Sequence, residues 1–493
     1  MIYLNKHTPA KAKTKEVSIS FAQKDTLAED LKEGKGELVY NITINKGALR
    51  SGLGFENLAS AVDTVNIDTE VTLPLRGNQV KAINQLCWHD ETDDITSYYI
   101  FYYNNEGLIC YDGLYEERLI PSTIQNNFTD IPITFPYKTN GVECLVFSGK
   151  GTTVLIGSGG SRTLEKVPGM LSCVSHYGMF FGIKIHTPPK LIYSPVTDLT
   201  KWDDTLVKNL DFTDARGELT RLVSFNDYVY IFRNYGITQL SKYSQDEEFS
   251  ISHMYQACSY INPNTICQFK DAVYFVEDCT LKAFNGNSVK DIEVKNFKYM
   301  KGVTNTALFG TCYKGKYYLA CRCDFGDNEV VGCEGYSAGY TNNALISYDL
   351  TTGEEEVLRG VDINQIMNFV TPFKSKLLAC FRNQHIDKIG QLTSNGKIFG
   401  QSLKSKFEST YTDFGTKSAR KTLTKITYKC SGKVACKIIC DGQEKTFTLD
   451  GNGVMKTKRL SLTGREFKFI LTGNLAPINL DDFVVTAKIR DEN

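Results

Sequence analysis

Between about Ser97 and Gly390, short runs of alternating apolar and polar residues recur, separated by small polar turns. The runs YYIFYYNNEGLICYDG (98–113), CLVFSGKGTTVLIGSG (144–159), VSHYGMFFGIKIHTPPKLIYS (174–194) and VSFNDYVYIFRNYGITQLS (223–241) share one plan of strand, turn and strand. CQFKDAVYFVEDCTLKAFNG (267–286), CYKGKYYLACRCD with NALISYDLTTGE (312–354) and TPFKSKLLACFRNQHIDKIG (371–390) continue it. A turn such as FND, FKD, YKG or FKS precedes the most apolar strand. A spacing of roughly 45 residues falls within the ~40–50 of propeller blades. A single four-stranded blade leaves apolar faces bare, so blades must stack around an axis. The sixth unit carries an insertion, DFGDNEVVGCEGYSAGYTNN (324–343).

Beyond Gly390 the repeat stops. Residues 399–493 keep a period of two with turns at SGK, DGQ, DGNG and TGN, the pattern of a small antiparallel sandwich. Upstream, GELVYNITINKGALRSGLGFENL (36–58) predicts two strands joined at Asn45-Lys46-Gly47, and the strand around 36–48 is placed to close the last blade with residues 371–390. Helix signals are sparse; the best is DTLAEDLKEG (25–34), with Asp25 as cap and Gly34 as stop. The expectation is an all-β chain. It comprises an N-terminal arm with a short helix (1–35), lead-in strands available to close the propeller (36–80), a β-propeller of about seven blades (81–398) and a C-terminal antiparallel β-sandwich (399–493).

Composition supports that class. The 493 residues are 42% hydrophobic and 23% charged, with Tyr 27, Phe 28 and Gly 39 beside Trp 2, which suits aromatic strands and tight turns. Lys+Arg 56 balance Asp+Glu 56, which argues against a generic nucleic-acid or membrane-surface binder. The balance divides unevenly: residues 401–493 hold 17 Lys/Arg and 10 Asp/Glu, a net +7, leaving −7 for residues 1–400. Most of these lysines fall where alternation puts solvated side chains. The sharper expectation is a basic docking face for an acidic partner, with Lys425, Lys429 and Lys433 as its candidates. No stretch approaches the ~20 apolar residues of a membrane span, and MIYLNKHTPAKAKTKEV offers no readable secretory signal.

Fifteen cysteines, an odd number, read as reduced thiols. Cys312, Cys321, Cys323 and Cys333 are spaced C-x8-C-x-C-x9-C, which does not match the paired knuckles of structural zinc. Cys321 and Cys323 share one strand face and read as buried, and Cys430, Cys436 and Cys440 are read the same way. No metal or cofactor is expected. The six histidines form no H-x-H or H-E-x-x-H spacing, no G-x-S-x-G elbow occurs, and IGSGGSR (156–162) lacks the Gly-Lys-Ser/Thr of a phosphate loop. Asp93-Asp94, Asp203-Asp204 and Asp481-Asp482 look like turn or edge residues. Asn41-Ile42-Thr43 and Asn127-Phe128-Thr129 match glycosylation sequons, which carry no meaning without a secretory signal. Nothing supports a catalytic assignment, and no enzyme is expected.

Three segments in this order resemble bacteriophage tail propeller proteins. ELVYNITINKGALRSGLGFENL resembles their opening, an Asn-containing strand leading to G-x-L-x-x-x-x-G-F/Y, at Asn41, Gly47, Leu49, Gly54 and Phe55. KLIYSPVTDLTKWDD (190–204) resembles a blade edge with the pattern Y/F-S-x-x-x-D-x-x-x-W, and the two runs that follow it resemble the family's next blades. SKFESTYTDFGTKSARKTLTKI (405–426) resembles a junction built on D-F-G that leads into a terminal sandwich, with Phe407 where the family has Trp. The resemblance covers roughly residues 36–430 and implies a structural virion protein, a subunit of a tail nozzle or hub. It further implies a homo-oligomeric ring, typically hexameric, contacts with portal, adaptor or other tail proteins, and non-specific passage of genomic DNA. Location would be the virion tail, assembled in the bacterial cytoplasm, without membrane insertion. The alternatives are a glycan-binding or glycan-degrading propeller and a cellular protein-interaction scaffold.

Overall fold

The structure is a computed structural model. It describes residues 13–18, 21, 36–60, 80–90, 95–103, 108–111, 116–118, 133–139, 142–149, 152–157, 160–242, 249–301, 308–326, 331, 342–370, 375–382, 385–416, 419–473 and 479–490. Among these, six four-stranded antiparallel sheets follow one another in chain order, over 82–118, 133–163, 170–210, 219–256, 267–292 and 309–359. A seventh sheet of six strands takes residues 363–402 together with Gly54–Ser60. Each repeat seen in the sequence lies within one of these blades or, for the last, within the six-stranded composite.

Local chemistry explains the blades. The recurring polar turns put consecutive residues at positive φ, as at Tyr177-Gly178, Asn226-Asp227 and Lys314-Gly315, which is the backbone of tight hairpin turns. The strand after the turn is deeply buried: Met179–Lys184, Tyr228–Arg233 and Lys316–Cys321 each bury five of six residues. It is covered on both faces because apolar clusters lie between adjacent blades. Phe181 and Ile183 of the third blade pack with Val229 and Ile231 of the fourth. Phe232 of the fourth meets Phe275 of the fifth edge-on, 5.5 Å between ring centres.

The ring closes differently from the expectation. Gly54–Ser60, and not the strand around 36–48, forms the fourth strand of the last blade by pairing with Lys388–Thr393. Phe55 is fully buried there, edge-on to Phe381. Gly54 is required by close approach, since a Cβ at that position would lie 2.3 Å from the Lys397 carbonyl oxygen. The strands Gly36–Tyr40, Ile42–Asn45 and Ala48–Ser51 instead enter a separate nine-stranded sheet. Alternation shows that a strand has a buried face, but it does not name the neighbour against which that face is buried.

That sheet is built on one long hairpin, Arg420–Cys440 with Gln443–Gly464. The free side of Arg420–Cys440 is shared: its first half pairs with Asn479–Arg490 and its second half with Phe467–Gly473. Lys13–Ser18 pairs with Asn479–Arg490, and Gly36–Tyr40 with Ser405–Ser409. The predicted C-terminal unit therefore recruits four N-terminal strands into one core with Leu423, Cys436 and Phe483. The helix expected at 25–34 lies outside the described residues.

Asn41 joins the sheet to the propeller. Held at φ 57, it donates to the carbonyls of Arg359 and Lys404, accepts from the Arg359 amide, and gives its own amide to Val357. The Arg359 guanidinium lies against the rings of both Tyr40 and Phe325, 4.7 and 4.6 Å from their centres.

Candidate functional site

The first strands of five sheets, Ala82–Asp90, Ile133–Thr139, Met170–His176, Leu219–Phe225 and Ile363–Val370, converge on one place. A cavity of about 660 Å³ opens there, lined from five sheets by residues that include Gln85, Tyr137, Glu143, Cys173, Ser224 and Asn368. Polar side chains of the lining, such as Gln85, and of the strands around it stitch neighbouring blades together. The Gln85 side chain donates to the Val370 carbonyl at 2.6 Å and accepts from its amide at 2.8 Å. Gln365 does the same to both backbone groups of Ile83. Ser172 accepts from the Leu222 amide, and Ser148 from the Met170 amide. The backbone groups of Ile83, Met170, Leu222 and Val370 that these bonds engage all lie on strands at the edge of their sheets, where, among the described residues, one side of the strand has no ladder partner.

The cavity's reactive groups are quiet. Burial pushes the Cys144 thiol up to about 12, and burial together with Cys144 raises Cys173 well above the usual thiol range, so both remain protonated at neutral pH. The Tyr137 hydroxyl donates to the Thr197 carbonyl at 2.7 Å. Ser224 lies 2.9 Å from His176 Nδ1, but His176 Nε2 is buried without a partner, so no carboxylate orients the ring. Among the described residues of the lining the carboxylate is Glu143.

Lys425, Lys429 and Lys433 all lie on the outward face of Arg420–Cys440, whose even-numbered residues from Ile426 to Cys440 are buried apart from Gly432. Lys425 is ion-paired with Glu16 at 3.1 Å and Lys429 with Asp481 at 3.8 Å, whereas Lys433 is exposed. The hydrogen bond from Lys425 lowers the Glu16 pKa. Lys437 continues the row and pairs with Glu444 at 2.7 Å. The four-residue spacing of these lysines was visible in the sequence; Glu16 and Asp481, which come from distant strands, were not, whereas Glu444 lies just across the hairpin turn.

Cys321 and Cys323 are buried with their sulfurs 3.6 Å apart, and Cys430, Cys436 and Cys440 are buried in the large sheet. Cys312 does not join them. Its sulfur lies 3.0 Å from that of Cys267, in the preceding blade. Cys333, the sequon at Asn127 and the acids Asp93-Asp94 lie outside the described residues. Among the described residues no group of three or more His, Cys, Asp or Glu side chains is placed to hold a metal. No helix among them is long and apolar enough to cross a membrane.

No family model and no curated protein matches the chain. Solved structures similar to it include the β-propeller domain of Cps50 (Swd1) from Myceliophteria thermophila, at 12% identity and TM-score 0.41, covering 64% of this chain and 97% of that one. BamB from Moraxella catarrhalis matches at 10% identity and TM-score 0.30, with the same coverages of 64% and 97%. The N-terminal domain of Nup159 matches at 9% and 0.36, covering 69% of this chain and 95% of that one. At these values the propeller assignment rests on the strand order above. The chain is an all-β protein, a β-propeller joined to a large antiparallel sheet, an architecture compatible with a protein-interaction scaffold.

Proposed function

We propose that this chain is a structural virion protein of a bacteriophage tail, a propeller subunit of a ring in the nozzle or hub through which the genome leaves. One observation carries the reading. The first and third segments that resemble phage tail propellers, far apart in the chain, are adjacent strands in space: Val39 lies opposite Phe407 and Tyr40 opposite Lys406. Asn41 of the first segment also reaches the Lys404 carbonyl across 363 residues. The residues of the resemblance thus build the joint between propeller and sheet.

The second segment serves a blade in the same way. Asp198 caps the turn at Thr200, and Trp202 lies edge-on to Phe180 with its ring nitrogen donating to Asp204. In the third, Phe414 is buried at positive φ, and its carbonyl accepts from Lys15.

The role is mechanical. Blades stitched to one another and closed by a strand from another part of the chain resist deformation, while the exposed Lys433 of the large sheet offers a positive charge to an acidic neighbour. A hexameric ring follows from the resemblance. Quantitative mass spectrometry of purified particles from a strain that encodes this chain tests the proposal. The expected result is peptides of this chain co-purifying with portal and capsid proteins at a fixed ratio. Recovery only in the host fraction would overturn it.

A further inference from the structure

We propose that Cys267 and Cys312 form a disulfide that fastens the fifth blade to the sixth when the chain meets an oxidising thiol–disulfide pool. Cys267 opens the first strand of the fifth blade, Cys267–Phe269, and Cys312 lies in the first strand of the sixth, Phe309–Tyr313. Their sulfurs are 3.0 Å apart across 45 residues of chain. A disulfide is about 2.05 Å long, so closure requires a movement of about 1 Å. The surrounding backbone is already fixed. Tyr317, opposite Cys312 in the sixth blade, donates its hydroxyl to the Thr265 carbonyl of the fifth at 2.8 Å, two residues from Cys267. The Cys312 carbonyl accepts from Asn368 of the seventh sheet at 3.1 Å.

Access makes the order of events definite. Cys267 is half-buried and Cys312 is buried, so a small disulfide reaches Cys267 first. The Cys267 thiolate attacks one sulfur of the small disulfide, forming a mixed disulfide and expelling one small thiolate. Cys312 then loses its proton to solvent and attacks the Cys267 sulfur, expelling the second small thiolate. Two protein thiols are oxidised to one disulfide, and one small disulfide is reduced to two thiols. Cys312, hydrogen-bonded to Cys267 and desolvated, is held protonated until that second step. Cys321 and Cys323 are a poor alternative, since both are buried within one blade and their link would fasten nothing between blades. The inference rests on two blades and is independent of what the chain assembles with.

The full-length chain is incubated with oxidised or reduced glutathione, then analysed by non-reducing peptide mass mapping and by thermal melting. The expected result is one linked peptide pair, Cys267 to Cys312, and a higher melting temperature in the oxidised sample. Cys267→Ser and Cys312→Ser each abolish the link and the shift while melting like the parent in reductant. A second pair of variants, Cys267→Ala and Cys312→Ala, serves if a serine perturbs folding. The exposed Cys258 reports that the oxidant was active by becoming glutathionylated. Glutathionylated Cys258 with Cys267 and Cys312 still free, or a link between other cysteines, would overturn the proposal.

Discussion

The seven propeller sheets are assembled almost wholly from strands that follow one another in the chain, whereas the nine-stranded sheet gathers strands from residues 13–51 and from 405–490. The first arrangement needs only hairpin turns and an apolar second strand, repeated. The second needs distant segments to meet, and its joints are specific: Asn41 against Arg359, Val39 opposite Phe407, Lys13 opposite Ile489. The N-terminal segment serves both units, since residues 36–51 belong to the large sheet and Gly54–Ser60 closes the propeller. The two units are therefore expected to stand or fall together.

The sharpest way to break that coupling is at the closing strand. Phe55→Ala empties a buried aromatic site and is expected to cost about 3–5 kcal/mol. Leu423→Ala, in the core of the large sheet, is expected to cost about 2–5 kcal/mol. Calorimetry should show both variants lowering one shared transition; a sheet that melts at its original temperature in Phe55→Ala would show independent units.

A buried charge within one blade gives an effect of similar size but local origin. Arg233 is fully buried against Asp214 at 2.5 Å, so Asp214→Asn is expected to cost about 3–5 kcal/mol by leaving the guanidinium unpaired. Burial opposes ionisation of Asp214, and the hydrogen bonds from Arg233 and Arg216 outweigh it, holding the carboxyl well below the usual range. A depressed folded-state pKa gives stability that is present above the unfolded value of about 3.9 and lost as pH falls toward the folded one. Circular dichroism during acid titration should therefore show a steeper loss below about pH 4 in the parent than in Asp214→Asn.

Asn41→Ala attacks the joint itself. It removes the side-chain bonds to Arg359 and Lys404 and puts alanine at positive φ, at an expected cost of about 3 kcal/mol. Urea unfolding followed by near-ultraviolet signals should become biphasic as the units separate. The smallest effect is expected on the lysine face: Lys433→Glu should change stability by no more than about 0.5 kcal/mol. Any loss of assembly in that variant would then reflect a lost contact.

What could be read from the sequence follows the same division. The blades were legible because pairing within a blade is local and turns such as Asn226-Asp227 announce themselves. The closing strand was expected around 36–48 and lies at Gly54–Ser60, because nothing in an alternating run names its partner. The outward face of Lys425, Lys429 and Lys433 was legible from period two. Glu16 and Asp481, which neutralise two of them, arrive from strands at opposite ends of the chain. Cys267 and Cys312 sit in different blades, so spacing along the chain grouped Cys312 with the wrong cysteines.

Immunogold electron microscopy of purified virions, with an antibody to the exposed Lys433 face, tests the central claim most directly. Gold confined to the tails is the result this account expects. Virions from the encoding strain that carry no gold, with the chain retained in the host fraction, would contradict it.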